Sequence, residues 1–379
     1  MVLMAIDHTR DFIHVGAMSF SPEDLTRTTP VLFLTRWITH ICAPSFMFLA
    51  GTGAFLRFAR DGSEPALSRF LWTRGVWLIV LELTVMRLGM NFSIGPPNPL
   101  LLIVLTALGM SMIALAALIH LPRPLLLTVS LAVIALHNTL DGIRASQFGA
   151  FAPVWNLLHQ QGAFTLGRMT IVVAYPVLPW IAVMALGFWF GPVLLLEPAR
   201  RQRAILVAGA AMTAGFVALR LLNMYGDPSP WSHQRSALFT ILSFLRTTKY
   251  PPSLQFLLMT LGPALISLAL FDRTRARWVD RVAVIGRVPM FFYVVHFWLI
   301  HVVASTLALV RYGRASFAFL LHPLPSMGGA PSLFPSGFGY PLWAAYLVWI
   351  GVVAAMYPLC RWFADLKSRR RDEWWVSYV

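Results

Sequence analysis

Apolar runs of about 20 residues recur along nearly the whole chain, and this recurrence constrains the fold more than any single motif. A helix of that length crosses a hydrocarbon core of ~30 Å. Inside lipid, every backbone N–H and C=O must find its partner within the protein, which leaves helices and closed barrels. Runs this continuous, without alternation of polar and apolar residues, read as helices. The composition agrees: 58% of residues are hydrophobic and 12% charged, where a soluble domain carries about 25% charge. Spans are expected at about 31–58, 71–90, 100–120, 125–140, 169–195, 204–224, 253–271, 283–309 and 341–359. The apolar run before Asp7 rises only ~9 Å as helix and cannot cross. The expected architecture is therefore an all-α polytopic transmembrane helix bundle, with nine complete spans plus a truncated first helix. Residues 1–379 read as a single integral membrane domain, and the native product is expected to start upstream of Met1.

The net charge of +15 would point to nucleic acid in a soluble protein. Here the distribution of the charge excludes that reading. Basic residues collect in alternate short loops: Arg57, Arg60, Arg69 and Arg74; Arg123; Arg200, Arg201 and Arg203; Arg273, Arg275, Arg277, Arg281 and Arg287; then Arg361, Lys367, Arg369, Arg370 and Arg371. The positive-inside rule places this set, and the carboxy terminus, in the cytoplasm. Trp374 and Trp375 near the end read as an interfacial anchor. His8, His14, His137, Asp141, His159, Asp227, His233 and Lys249 then gather toward the outer side. Acid–base groups face one way and arginines suited to phosphate face the other. Cys42 and Cys360 lie far apart in apolar stretches, so neither a disulfide framework nor a zinc spacing exists, and no metal site is expected.

Residues 4–14 are the densest chemical stretch. Asp7, His8, Arg10, Asp11 and His14 fall within eight positions of an otherwise oily chain. As a helix, Asp7, Asp11 and His14 would share one face at i, i+4 and i+7, and His8 and Asp11 would be i, i+3 neighbours. A carboxylate-backed imidazole can take a proton from an attacking amine or hydroxyl. The plainer alternative is a wet helix end. Arg36 and His40 sit at i, i+4 in the first complete span. Glu82 and Arg87 are either a functional intramembrane pair or a structural ion pair. His296 and His301 read as hydrogen-bonded core residues. Gly51-Thr52-Gly53 reads as close helix packing, or else as the lining of a ligand path.

Several stretches resemble the bacterial branch of the heparan-α-glucosaminide N-acetyltransferase catalytic-domain family, within the wider transmembrane acyltransferases. They are Val2-Leu-Met-Ala-Ile-Asp-His-Thr-Arg-Asp11, Leu34-Thr-Arg-Trp-Ile-Thr-His-Ile-Cys-Ala-Pro44, Phe48-Leu-Ala-Gly51, Tyr175-Pro-Val-Leu-Pro-Trp180, Lys249-Tyr-Pro-Pro-Ser253, Pro289-Met-Phe-Phe-Tyr-Val-Val-His296 and Tyr357-Pro-Leu-Cys-Arg-Trp362. The resemblance implies a membrane-embedded acyltransferase that moves an acetyl group from cytoplasmic acetyl-CoA to an amino sugar or other envelope glycan outside a bacterial inner membrane. Asp7 stands where the family carries Asn, and His8 and His14 are both candidates for the family's histidine. The upstream Asp and Arg-Gly of the family's first helix are absent from this chain.

On this reading His8, oriented by Asp7 or Asp11, deprotonates the acceptor, with His14 as the alternative base. Arg36 or a backbone amide stabilises the oxyanion, with His40 nearby in sequence. Arg57, Arg60 and Arg74 hold the CoA phosphates, and Lys249 and Tyr250 meet the acceptor. Membrane lipid and the glycan are the expected partners, nucleic acid is not, and a homodimer is left open. The competing class is a multi-pass transporter in which the same charges form a relay; a member that has lost catalysis is a third.

Overall fold

The computed structural model describes residues 1–93, 98–272, 274, 276–370, 373, 376 and 378. Arg273, Arg275, Arg371, Trp374, Trp375 and the side chain of Arg277, all used in the sidedness argument, lie outside the described residues. The chain runs α1 (Val2–Ile13), α2 (Pro30–Thr39), α3 (Cys42–Asp61), α4 (Glu64–Leu81), α5 (Arg87–Asn91), β1 (Leu100–Leu102), α6 (Val104–Leu118) and α7 (Arg123–Leu136). It continues with α8 (Ala152–Leu158), β2 (Gly162–Leu166), β3 (Met169–Val173), α9 (Leu178–Phe190), α10 (Pro198–Leu222) and α11 (Ala237–Leu245). It ends with α12 (Leu254–Phe271), α13 (Arg277–Gly286), α14 (Pro289–Tyr312) and α15 (Leu342–Arg369).

Among the described residues, seven helical stretches are long and apolar enough to cross a membrane: Pro30–Asp61, Arg123–Leu140, Leu178–Leu195, Pro198–Leu222, Leu254–Phe271, Pro289–Ala318 and Leu342–Arg369. The other two expected spans are helical but fall short of that measure. Helix α4 carries Glu64, Arg69 and Arg74. Helix α6 has 15 residues and rises ~22 Å, less than the ~30 Å core. Helix α1 has 12 residues and rises ~18 Å.

The protein is mostly helical, but an all-α description misses a three-stranded sheet of order β1-β3-β2. Strands β2 and β3 form a hairpin closed by Gly167-Arg168, with Leu166 opposite Met169. Gly167 takes φ +61°, which a two-residue hairpin loop with glycine first requires. Strand β1 joins β3 in parallel. Strand β2 comes from a stretch expected to be a polar loop, and β1 and β3 from stretches expected to start spans. The expected first span is also broken. Helix α2 stops at Thr39, and α3 restarts at Cys42 with Pro44 in its first turn. Pro44 has no N–H to give the carbonyl four residues back, and the first turn of a helix is where that absence costs least.

The chain divides into two compact units. The first comprises Met1–Thr39, Thr84–Asn98 and Arg275–Val379. In it α1 packs on α2, α14 and α15, and α13 packs on α14 and α15. The second comprises His40–Leu83 and Pro99–Thr274, with α3 on α9, α4 on α6 and α10 on α12. Glycines let those pairs approach. A Cβ on Gly51 would lie 1.9 Å from the Met184 carbonyl oxygen, and one on Gly187 2.1 Å from that of Phe48. Gly51 is thus a packing residue, whereas Gly53 faces open space.

Candidate active site

In the first unit, helix α1 carries the charged cluster, and its geometry differs from the simple face expected. Asp7 is buried at 8% exposure and Arg10 at 2%. The Asp7 carboxylate is clamped from two sides, by Arg10 Nη2 at 3.0 Å and by Arg36 Nη1 of α2. Arg10 Nη2 also reaches Asp11 at 2.6 Å, and Arg36 Nε lies 4.0 Å from Glu23. Two guanidiniums thus supply the charge partners that a buried carboxylate needs. Asp7 therefore ties α1 to Arg36 of α2.

His8 points elsewhere. Its Nδ1 lies 2.9 Å from Nε2 of His296 on α14, with the two rings stacked at a 5.1 Å centroid separation. Tyr293 and Phe297 pack edge-on against it. The neighbouring carbonyl decides the tautomers. His296 Nδ1 lies 2.6 Å from the Phe292 carbonyl oxygen, which can only accept, so His296 donates from Nδ1. As a neutral ring it then presents a lone pair at Nε2, and His8 must donate from Nδ1. The relay leaves the His8 lone pair on Nε2, the tautomer a general base uses. His296 was legible only as a core histidine; the signal that could have found it is an imidazole in an apolar span, which needs a partner.

His14 does not continue the Asp7–Asp11 face. Helix α1 ends at Ile13, and His14 is extended at φ −78°, ψ 126°. Its segment pairs with the chain at Tyr340, through Val15 N–H to the Tyr340 carbonyl at 2.9 Å and Tyr340 N–H to that of Ile13 at 2.7 Å. The imidazole is buried, its Nδ1 has no hydrogen-bond partner among the described residues, and it lies close against Gly16. Burial first, and then the Arg10 guanidinium, holds its pKa below the usual histidine value, with Asp11 opposing.

The remaining expected site residues belong to the second unit. His40 falls in the break between α2 and α3 rather than a turn above Arg36 on one helix, and is buried with its ring 5.3 Å from that of Phe256. Arg57, Arg60 and Arg74 do converge. The Arg57 guanidinium lies 4.0 Å from the centroid of the Phe70 ring, and that of Arg74 5.9 Å. Asp61 pairs with Arg57 at 3.4 Å and with the exposed Arg60 at 2.7 Å.

Lys249 and Tyr250 also meet. Lys249 Nζ lies 5.1 Å from the Tyr250 ring centroid and 6.0 Å from that of Tyr175. The Tyr250 hydroxyl donates to that of Tyr175 at 3.1 Å. The polar residues around them form the walls of these loops. His137 Nε2 lies 2.9 Å from the Pro252 carbonyl oxygen, and Asp141 binds Asn138 and His159. Asp227 accepts from the Thr248 and Ser229 amides and the Thr248 and Ser253 hydroxyls. Arg220, which the sequence did not single out, is 1% exposed. It ties the loop together through Gln255 Oε1 and the carbonyls of Phe244, Ser229, Ser243 and Arg246. Among the described residues Glu82 takes backbone amides as its partners. Its oxygens accept the Ile103, Leu105 and Thr106 amides at 2.8–2.9 Å, capping the start of α6. Arg87 donates to the Asn98 carbonyl at 2.9 Å.

Seven helical stretches long and apolar enough to cross a membrane define an integral membrane protein, and its first unit buries a clamped carboxylate and a hydrogen-bonded histidine pair. The family model described as "Heparan-alpha-glucosaminide N-acetyltransferase, catalytic" matches residues 1–227, and the chain belongs to this family of transmembrane acetyltransferases. No curated protein and no solved structure matches the chain.

Proposed function

We propose that the protein transfers an acetyl group from acetyl-CoA to an amino sugar or a related glycan acceptor, with His8 as the general base. On this reading residues 1–379 are an integral membrane domain of a bacterial inner membrane, with the carboxy terminus and the donor on the cytoplasmic side and the acceptor outside. The observation that carries the assignment of the base is the Phe292–His296–His8 relay, which presents a lone pair on His8 Nε2. The acceptor amine attacks the acetyl carbonyl, His8 takes the proton, and the thiolate of CoA leaves. Arg36, held by Asp7, offers N–H donors to the oxyanion of the tetrahedral intermediate. In the second unit, Arg57, Arg60 and Arg74 supply positive charge for the CoA phosphates, with Phe70 between Arg57 and Arg74. Lys249 and Tyr250 serve the acceptor.

Purified protein in liposomes, given radiolabelled acetyl-CoA and a panel of amino sugars, tests this reading. His8→Ala should lower turnover at least ~100-fold, the lower end for a general base, with acetyl-CoA binding little changed. Asp11→Asn should be milder. Normal turnover in His8→Ala with a dead His14→Ala would move the base to His14. Acetyl-CoA that is neither bound nor consumed would favour a transporter with an intramembrane relay.

A further inference from the structure

Between Arg144 and Arg168 the chain runs through residues 145–167 without a single Asp, Glu, Lys or Arg. This segment of the second unit joins two stretches long and apolar enough to cross a membrane, Arg123–Leu140 and Leu178–Leu195. A connection built to face water ordinarily carries charge. This one turns large apolar side chains outward instead: Phe148 is 40% exposed, Val154 52% and Phe151 71%. They are held out by a fixed scaffold. The Trp155 indole N–H donates to the Ile143 carbonyl at 3.0 Å, and the Phe148 ring stacks on that of Trp155 at 4.9 Å. The Ala145 amide donates to Gln160 Oε1 at 2.8 Å, and the polar Asn156 and His159 are buried. Helix α8 and its flanks thus bury polar groups and expose apolar ones, the reverse of what water favours. An exposed apolar patch of this kind marks an interaction surface.

Its position and its charges name the partner. On α7, Leu125, Val129 and Leu136 form an exposed apolar row on one helix face. On a spanning helix such a row meets lipid tails, and the patch begins a few residues beyond its end. Arg144 and Arg168, both exposed, bracket the uncharged run. Guanidiniums suit phospholipid phosphates, and aromatic rings suit the boundary between headgroups and acyl chains. We propose that residues 145–158 lie in the membrane interface, with Phe148, Phe151 and Val154 among the upper acyl chains and Arg144 and Arg168 on phospholipid phosphates. On the positive-inside argument the leaflet is the outer one. The proposal stands apart from the acetyltransferase reading and does not need it.

The test uses full-length protein lacking Cys42 and Cys360, reconstituted in phosphatidylcholine vesicles. Phe151→Cys, Val154→Cys and Gly142→Cys each carry one environment-sensitive fluorophore. Gly142 has open space around it and is the water-facing reference. A phospholipid with a nitroxide high on its acyl chain should quench positions 151 and 154 at least ~2-fold more than position 142, and aqueous iodide should quench them at least ~3-fold less. Arg144→Gln combined with Arg168→Gln should cut the nitroxide quenching at position 151 by about half; unchanged quenching would overturn the phosphate contacts. Iodide that reaches all three positions equally would overturn the proposal. So would positions 151 and 154 shielded from iodide and nitroxide alike, since a second copy of the chain or another protein would then cover the patch. Should the labelled variants fail to fold, the native protein decides, in vesicles containing a phospholipid with a diazirine high on its acyl chain. After photolysis, peptides from residues 145–158 should carry the lipid adduct together with those of α7. Adducts on α7 with none on 145–158 would sink the idea.

Discussion

At the scale of single residues, His8 and His296 lie 288 positions apart, and no local pattern could have joined them. The density of ionisable groups at residues 7–14 was legible, because charge in an apolar chain stands out. Which carboxylate each base would take was not, because i, i+3 and i, i+4 neighbours compete with partners from distant helices. Asp7 took Arg36 from a distant helix as well as its neighbour Arg10, and His8 went to His296. If His296 sets the His8 tautomer, His296→Leu should lower turnover by ~10- to 100-fold with the KM for acetyl-CoA unchanged. His296→Gln, whose amide oxygen can accept from His8 Nδ1, should recover much of the loss. Equal defects in both variants would make His296 a packing residue only. His14 makes a separate prediction. Its folded pKa is depressed, chiefly by burial, so the fold holds it neutral while the unfolded chain titrates near 6.5. Its contribution to stability is complete above pH ~6.5 and is lost as pH falls toward the folded value. The thermal stability of the native protein in detergent should therefore fall on acidification from pH 7.5 to 5.5 more than that of His14→Asn. Parallel curves would rule the effect out.

At the scale of elements, most helices were legible as apolar runs, and their interruptions were not. Pro44 marks the restart of a helix only once α2 is known to stop at Thr39, and β1, β2 and β3 are too short and too mixed for period-2 alternation to show. Glu82 was legible as an expensive residue, but its use as a cap for α6 depends on where the chain turns between residues 91 and 104. Glycines were legible as packing signals without their partners. Gly51 and Gly53 look alike in sequence, yet a Cβ on Gly51 would meet the Met184 carbonyl at 1.9 Å while one on Gly53 meets nothing within 4 Å. Gly51→Val should prise α3 from α9 and reduce the yield of monodisperse protein severely, since the obstacle is backbone. Gly53→Ala should be neutral, or stabilising by up to ~1 kcal/mol through helix propensity. Size-exclusion profiles and thermal stability in detergent compare the two, and similar behaviour would contradict the packing assignment.

At the scale of the whole molecule, the second unit gathers its loops at two ends, as alternate spans require. At one end Arg201 pairs with Asp272 at 2.9 Å, Arg123 donates to the Trp189 carbonyl, Ser68 donates to that of Ala116, and His120 meets Glu64. At the other, the Leu254 amide donates to Asn138 and Tyr225 to the Ala135 carbonyl, His137 lies against the Pro252 carbonyl, and β1 pairs with β3. The first end holds Arg57, Arg60, Arg123, Arg200, Arg201 and Arg203. The second end has basic residues too, but Arg220 and Lys249 are buried there, Arg220 among carbonyls and Lys249 between tyrosine rings. The short-loop arginines thus decide orientation, and we predict that residues 61–69 and 272–281 are cytoplasmic and residues 141–167 and 226–248 external. Single cysteines placed in each loop, on a background lacking the half-buried Cys42 and the buried Cys360, can be probed with an impermeant thiol reagent in intact cells. Cysteines in 141–167 and 226–248 should label, and those in 61–69 and 272–281 should label only after permeabilisation. The reverse pattern would turn the molecule over. It would also put Arg57, Arg60 and Arg74 on the side away from cytoplasmic acetyl-CoA, and the assignment of those arginines to its phosphates would fall with the topology.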